Sequence, residues 1–183
     1  MVGKYRIEVN NKYTKYFLTV QRNFTILQGN SATGKTELIT LLSQYEENGE
    51  ASGVHVSCDV PVHVLRGRFW EEDIEHFHNS IIFLDESEQY AKTKEFAETA
   101  QKNDNYFFIV NRDPLHELSY SINEIYTFRN AAASQKYHED FRVYNEMVPL
   151  NNSLISKYLS ETAIRKIARQ MPSEILPEEY KNA

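Results

Sequence analysis

The segment Gly29-Asn30-Ser31-Ala32-Thr33-Gly34-Lys35-Thr36 reads G-x-x-x-x-G-K-T, and few patterns restrict a fold so tightly. Its glycines let the backbone turn sharply and approach a ligand with no Cβ in the way. The main-chain N–H groups of residues 30–36 can then converge on phosphate oxygens, helped by the free N–H groups and positive dipole end of a following helix. Such a loop needs a strand before it and a helix after it. The chain supplies both: residues 24–28 (FTILQ) are a short β-rich apolar run, and residues 37–45 (ELITLLSQY) carry apolar positions at helical spacing. In that setting Lys35 reaches β- and γ-phosphates as a point charge, and the Thr36 hydroxyl ligates Mg²⁺.

The remaining pattern is built around that unit. Residues 5–9 and 16–20 flank Asn10-Asn11-Lys12 and predict a β-hairpin, with the Asn-Asn centre supplying the positive φ that tight hairpins require. Glu46-Glu47-Asn48-Gly49 stops the first helix. Residues 54–59 alternate and predict a second core strand, which 60–65 extends past Pro61; a short helix follows over 69–78. Ile81–Leu84 is a continuous apolar run, the signature of a strand buried on both faces, and ends in Asp85-Glu86. A helix is expected over 88–101, with Tyr90, Ala91, Phe96, Ala97 and Ala100 facing inward. Tyr106–Val110 is a further buried strand ending in Asn111-Arg112, and 124–129 and 141–144 read as two more strands.

Strands alternating with helices predict an α/β three-layer sandwich with a mostly parallel central sheet. Ligands of such sheets sit beyond the carboxyl ends of the strands, where the loop, Asp85-Glu86 and Asn111 all fall. The expected organisation is one domain over 1–170, comprising the hairpin (4–20), a nucleotide-binding core (24–130) and C-terminal strands and helix (131–170), followed by a loose tail over 171–183.

Composition narrows the classes. With 183 residues, 41% hydrophobic and 25% charged, the chain fits one domain with a sizeable core rather than two domains or a disordered polymer. A net charge of −6 provides no global field toward nucleic acid, so net charge does not indicate nucleic-acid binding and only a local basic face would support it. Cys58 is the sole cysteine, which excludes an internal disulfide and agrees with a reducing cytoplasm. Residues 1–20 are too polar for a signal peptide, and the apolar runs are too short to span a bilayer. A cytoplasmic location with no membrane partner is the expectation. His76 and His78 lie on different faces of their helix with no third ligand, and read as surface residues. Ile155, Leu159, Ala163 and Ile167 recur every four residues, which predicts a helix over 154–170 that packs on the core edge, or else meets a partner or faces nucleic acid.

The acids after Leu84 carry the chemistry. Four apolar residues followed by Asp is a second nucleotide-site pattern, in which Asp85 holds Mg²⁺ through its water shell; the plain alternative is a carboxylate at a helix start. Glu86, beside it, is placed to orient and deprotonate an attacking water, or is a solvated first-turn acid. Asn111 is read either as a group that hydrogen-bonds the γ-phosphate or as turn chemistry.

On residues 29–36, 81–86 and Asn111 the chain resembles the P-loop NTPase superfamily. Within it, the chain is similar to the division with an additional strand and a catalytic glutamate, which includes AAA-type, RecA-like and ABC-type ATPases. The resemblance covers roughly residues 24–113. It implies that the strand ending at Asn111 lies between the loop strand and the Asp85 strand. It also implies Gly29, Asn30, Ser31, Ala32, Thr33, Gly34 and Lys35 as the phosphate cradle, Thr36 and Asp85 as metal-holding groups, Glu86 as base and Asn111 as sensor. Hydrolysis in this class uses a cation at the γ-phosphate, often from a neighbouring subunit. Arg112 is the first candidate because it adjoins Asn111; Arg129, Arg66 and Arg68 are the others. No L-S-G-G-Q-like segment precedes Asp85, and no extended helical lid follows the core. No N-K-x-D element is present, since Asn11-Lys12-Tyr13-Thr14 fails at its last position, so ATP is expected rather than GTP.

The expected function is a Mg-ATP-binding ATPase whose turnover drives a conformational or assembly change in a protein partner or through self-association. One alternative is a P-loop kinase with a lid over 129–142 and an acceptor pocket including Arg66 and Arg68. Another is an ATP-sensing module with little turnover.

Overall fold

In the computed structural model, residues 1–29, 33–130 and 142–150 are described, with the side chains of 129–130 and 142–146 outside that description. Asn30, Ser31, Ala32, the segment 131–141, and the helix and tail expected over 154–170 and 171–183 therefore lie outside the described residues. The chain divides into two compact units, Met1–Pro149 and Leu150–Ala183, and the first is the one described below.

Its strands are β1 (Tyr5–Asn10), β2 (Thr14–Val20), β3 (Phe24–Leu27), β4 (His55–Ser57), β5 (Val62–Val64), β6 (Ile81–Leu84), β7 (Tyr106–Val110), β8 (Ile125–Asn130) and β9 (Arg142–Pro149). They form one sheet in the order β4-β1-β2-β9-β8-β3-β7-β6-β5. From β8 to β5 every pairing is parallel, β9 runs antiparallel to β8, and β4-β1-β2 is antiparallel. The helices are α1 (Lys35–Asn48), α2 (Trp70–His76) and α3 (Lys94–Lys102). The expected α/β class with a mostly parallel sheet is what the chain adopts, and β7 lies between β3 and β6.

Strand periodicity explains the layering. Alternate residues of a strand face opposite sides, so Leu27, Phe83, Phe108 and Val110 pack with Leu38, Leu41 and Leu42 of α1. Their neighbours Ile26, Ile82, Leu84, Phe107 and Ile109 pack with Trp70 and Ile74 of α2 and Phe96, Ala97 and Ala100 of α3. Both faces are thus covered, which is why β6 and β7 read as unbroken apolar runs.

The α1 side is enclosed further. Ile7, Val9, Tyr16, Leu18 and Val20 of the hairpin belong to the same core as α1 and the parallel strands. Strands β4 and β5 stand at opposite ends of the sheet order, yet only residues 58–61 join them. The step from Ser57 to Val62 spans at most about 18 Å of extended chain, whereas nine strands laid flat would spread over about 38 Å. The sheet must therefore curl, and α1 is what it curls around.

Three local expectations are corrected. Residues 54–65 are not one core strand: β4 pairs with β1 and β5 with β6. Alternation marks a strand without naming its neighbour, and Pro61 withholds an N–H at the division. The helix expected over 88–101 is a 3₁₀ turn, Gln89–Lys92, followed by α3. Thr93 separates them in extended conformation, with its side chain accepting the Phe96 N–H as an N-cap. Ala91, Phe96, Ala97 and Ala100 are buried as expected. At the hairpin turn the Asn11 side chain accepts the N–H groups of Tyr13 and Thr14, both at 2.8 Å. That side-chain cap replaces the expected positive φ; among the described residues Asn79 is the one non-glycine with φ above zero. The strand expected over 141–144 runs on to Pro149. No helix among the described residues is long and apolar enough to cross a membrane.

Candidate functional site

Register places the polar ends of three strands side by side. Leu27 of β3 pairs with Val110 of β7, and Ile109 of β7 with Leu84 of β6. The Asn111 N–H continues the ladder to the Leu27 carbonyl at 3.2 Å. The loop start, Asn111-Arg112 and Asp85-Glu86 therefore line one carboxyl edge, with about 10 Å, two strand spacings, between β3 and β6.

The two loop glycines hold backbone that other residues resist. Gly34, at the N-cap of α1, is left-handed with φ 86°. Gly29 has φ 142°, and a Cβ there would stand 2.7 Å from Thr127 Oγ1 on β8. Directly after Gly34, Lys35 is 5% exposed, although lysines are seldom so deeply buried. Its Nζ folds back on the loop, donating to the Gly29 carbonyl at 2.8 Å and to Thr33 Oγ1 at 2.9 Å. Burial chiefly, then the positive Arg112, pull its pKa below the ordinary lysine value, while Glu86 acts in the opposite sense. Thr36 is exposed on the first turn of α1.

The hairpin braces this loop. The Tyr16 hydroxyl donates to the Gly34 carbonyl at 2.8 Å, and Thr14 Oγ1 donates to Glu37 Oε1 at 2.9 Å. Thr14, Tyr16 and Thr127 were not legible as site residues. Their only sequence signal is an aromatic or hydroxyl side chain in an alternating strand.

On the acidic side, Asp85 Oδ2 accepts the Ser87 hydroxyl at 3.1 Å. Its Oδ1 is buried and has no hydrogen-bond partner among the described residues. Leaving such an acceptor unsatisfied costs about 1–3 kcal/mol, and more when it is charged. A hard cation or its hydration shell would satisfy it, so this carboxylate fits a Mg²⁺ site. Among the described residues no cluster of three or more His, Cys, Asp or Glu could hold a metal. A cation here would depend on Asp85, Thr36 and phosphate oxygens. His76 Nδ1 instead meets the Glu72 carbonyl at 2.7 Å, and His78 lies 3.7 Å from Asp104.

Glu86 and Arg112 engage one another. Arg112 Nε donates to Oε2 and Nη2 to Oε1, each at 2.9 Å, in a bidentate pair. The Glu86 side chain is 30% exposed and that of Arg112 54%, so the pair contributes at most about 1 kcal/mol to stability. Asn111 is buried, and its Oδ1 accepts the Arg112 N–H at 3.0 Å, fixing the turn that carries the guanidinium. The other candidate arginines are engaged elsewhere: Arg66 pairs with Glu47 at 3.1 Å, and Arg68 lies 4.8 Å over the Phe69 ring. The Arg129 side chain is outside the described residues.

A cavity of about 690 Å³ opens at the opposite edge of the sheet, among Arg22, Phe24, Tyr106, Tyr120 and Glu124, and shares no residue with the loop edge. No protein-family model matches the chain, and no curated protein matches it. The functional reading is carried by the residues themselves.

Proposed function

We propose that the protein binds Mg-ATP at the carboxyl edge of its parallel sheet and hydrolyses it. It would do so as a P-loop NTPase of the additional-strand, catalytic-glutamate division, coupling turnover to a change in a partner or in its own assembly. The observation that carries this reading is the meeting, across β7, of a glycine-bracketed loop with buried Lys35 and an Asp85 whose inner oxygen has no partner among the described residues. The strand order β8-β3-β7-β6-β5 supports it.

Lys35 would trade its bonds to the Gly29 carbonyl and Thr33 Oγ1 for phosphate oxygens, a charge-assisted exchange that a dianionic terminal phosphate favours. Thr36 and Asp85 would hold Mg²⁺, which when bound neutralises charge across the β- and γ-phosphates. Glu86 would accept a proton from water as the water oxygen bonds to the γ-phosphorus. The bridging P–O bond breaks in the same step, and its electron pair leaves on ADP. A sensing module with little turnover is the second reading, favoured by one observation: the candidate base is already paired with Arg112.

Calorimetry with Mg-ATP and a phosphate-release assay test this on the wild type, Lys35→Met and Glu86→Gln. Loss of the Lys35 ammonium is expected to weaken ATP binding about 10- to 100-fold, the value of charge-assisted hydrogen bonds. Glu86→Gln is expected to bind ATP and stop releasing phosphate. A wild type that binds no nucleotide overturns the reading; one that binds ATP without turnover selects the sensor.

A further inference from the structure

Arg112 and Glu86 belong to different strand ends and meet in a contact partly open to solvent. Arg112 follows directly on β7, with its main-chain N–H fixed by Asn111 Oδ1. Glu86 stands in the turn after β6, where Asp85 Oδ2 accepts the Ser87 hydroxyl and the Asp85 carbonyl accepts the Glu88 N–H at 3.1 Å. The guanidinium is a planar fork that fits a phosphate edge as well as a carboxylate edge. A terminal phosphate carries nearly twice the charge of a carboxylate, and the pair it would replace is weak because it is half in solvent. Asn111, the residue before Arg112, bonds through its N–H to the Leu27 carbonyl of the strand that enters the loop, so Arg112 stands at the edge where the β- and γ-phosphates would lie.

We propose that the Arg112–Glu86 pair is a resting lock opened only by a third phosphate: the guanidinium exchanges the Glu86 carboxylate for the terminal phosphate of a nucleoside triphosphate. This rests on the nucleotide-binding reading and deepens it, because one exchange then does two things. It gives the site its preference for triphosphate over diphosphate, since a diphosphate ends short of Arg112. It also withholds Glu86 from water until the phosphate to be attacked is present, so an empty or ADP-filled site holds its base neutralised. Arg112 is thereby a specificity-determining residue supplied by the same chain.

The test is the ratio of Mg-ATP to Mg-ADP affinity, measured by calorimetry on the full chain for wild type, Arg112→Ala, Arg112→Lys and Glu86→Gln, with folding checked by circular dichroism. The wild type is expected to prefer ATP by at least tenfold. Arg112→Ala is expected to bring the two affinities within about twofold of each other, by weakening ATP and leaving ADP where it was. Arg112→Lys keeps a point charge and is expected to retain part of the preference; it also serves if the alanine variant fails to fold. Glu86→Gln releases the guanidinium and is expected to tighten ATP severalfold with ADP unchanged. A merely structural Arg112 would shift both nucleotides together, and that result, or an unchanged ratio in Arg112→Ala, overturns the lock while leaving the nucleotide site standing. A wild type that binds neither nucleotide removes the site and the lock with it.

Discussion

Gly29 is the residue on which the loop's entry turns, and two separate physical faults follow from giving it a side chain. Its φ of 142° lies in backbone that is nearly confined to glycine, and an added methyl would meet Thr127 Oγ1 at 2.7 Å. Gly29→Ala is therefore expected to lower stability by about 1–3 kcal/mol in urea unfolding, and to weaken nucleotide binding because the Lys35 ammonium leans on the Gly29 carbonyl. Adding Thr127→Ala removes the collision and leaves the backbone strain, so the double variant should recover only part of the loss. Full recovery would mean that the collision alone matters. The glycine is legible in the sequence because the loop pattern demands it. Thr127 is not, because only the pairing of β3 with β8 brings it beside the loop. The Arg112–Glu86 pair was hidden for the same reason: each charge read alone looks solvated, and 26 residues separate them.

Among the elements, the hairpin β1–β2 is the one whose role alternation left open. Its Tyr16 is fully buried, with its ring 5.6 Å from that of Phe128, yet its hydroxyl reaches the Gly34 carbonyl. That carbonyl also accepts the Leu38 N–H of the first helical turn. In a trans peptide the carbonyl and the following N–H point opposite ways, so a clamp on the Gly34 carbonyl sets the direction of the Lys35 N–H. Tyr16→Phe keeps the ring in the core and removes the clamp. Stability should fall by only about 0.5–1.5 kcal/mol, while ATP affinity falls severalfold; unchanged affinity would reduce the hairpin to a cover. Sequence pattern found this hairpin, α1, β6 and β7, because each carries its periodicity in its own residues. It missed the division of 54–65 and the break at Thr93. Those depend on which strand offers a free edge and on a single hydroxyl accepting the Phe96 N–H.

At the scale of the Met1–Pro149 unit, the parallel strands and their two covered faces follow from the apolar runs, whereas the curl of the sheet does not. The curl is a consequence of order: β4 and β5 are consecutive in the chain and terminal in the sheet. Either the four residues between them hold the curl closed, or the shared core around α1 does. The core is the stronger agent. It joins Ile7, Val9 and Leu18 of the hairpin to Leu38 and Leu42 of α1 and to Phe83 and Phe108 of the parallel strands. Doubling the link with a Gly-Ser-Gly-Ser insertion after the exposed Asp59 costs about 0.6 kcal/mol of closure entropy. Leu38→Ala, which empties a fully buried position facing both halves of the sheet, should cost about 2–5 kcal/mol. Urea unfolding of the two variants is expected to show one cooperative transition in each, shifted slightly by the insertion and severely by Leu38→Ala. If the insertion instead splits the unfolding into two transitions, the antiparallel end is held by its tether. Bracing of the Gly34 carbonyl by Tyr16 would then depend on the length of residues 58–61 and not on the core that α1 fills.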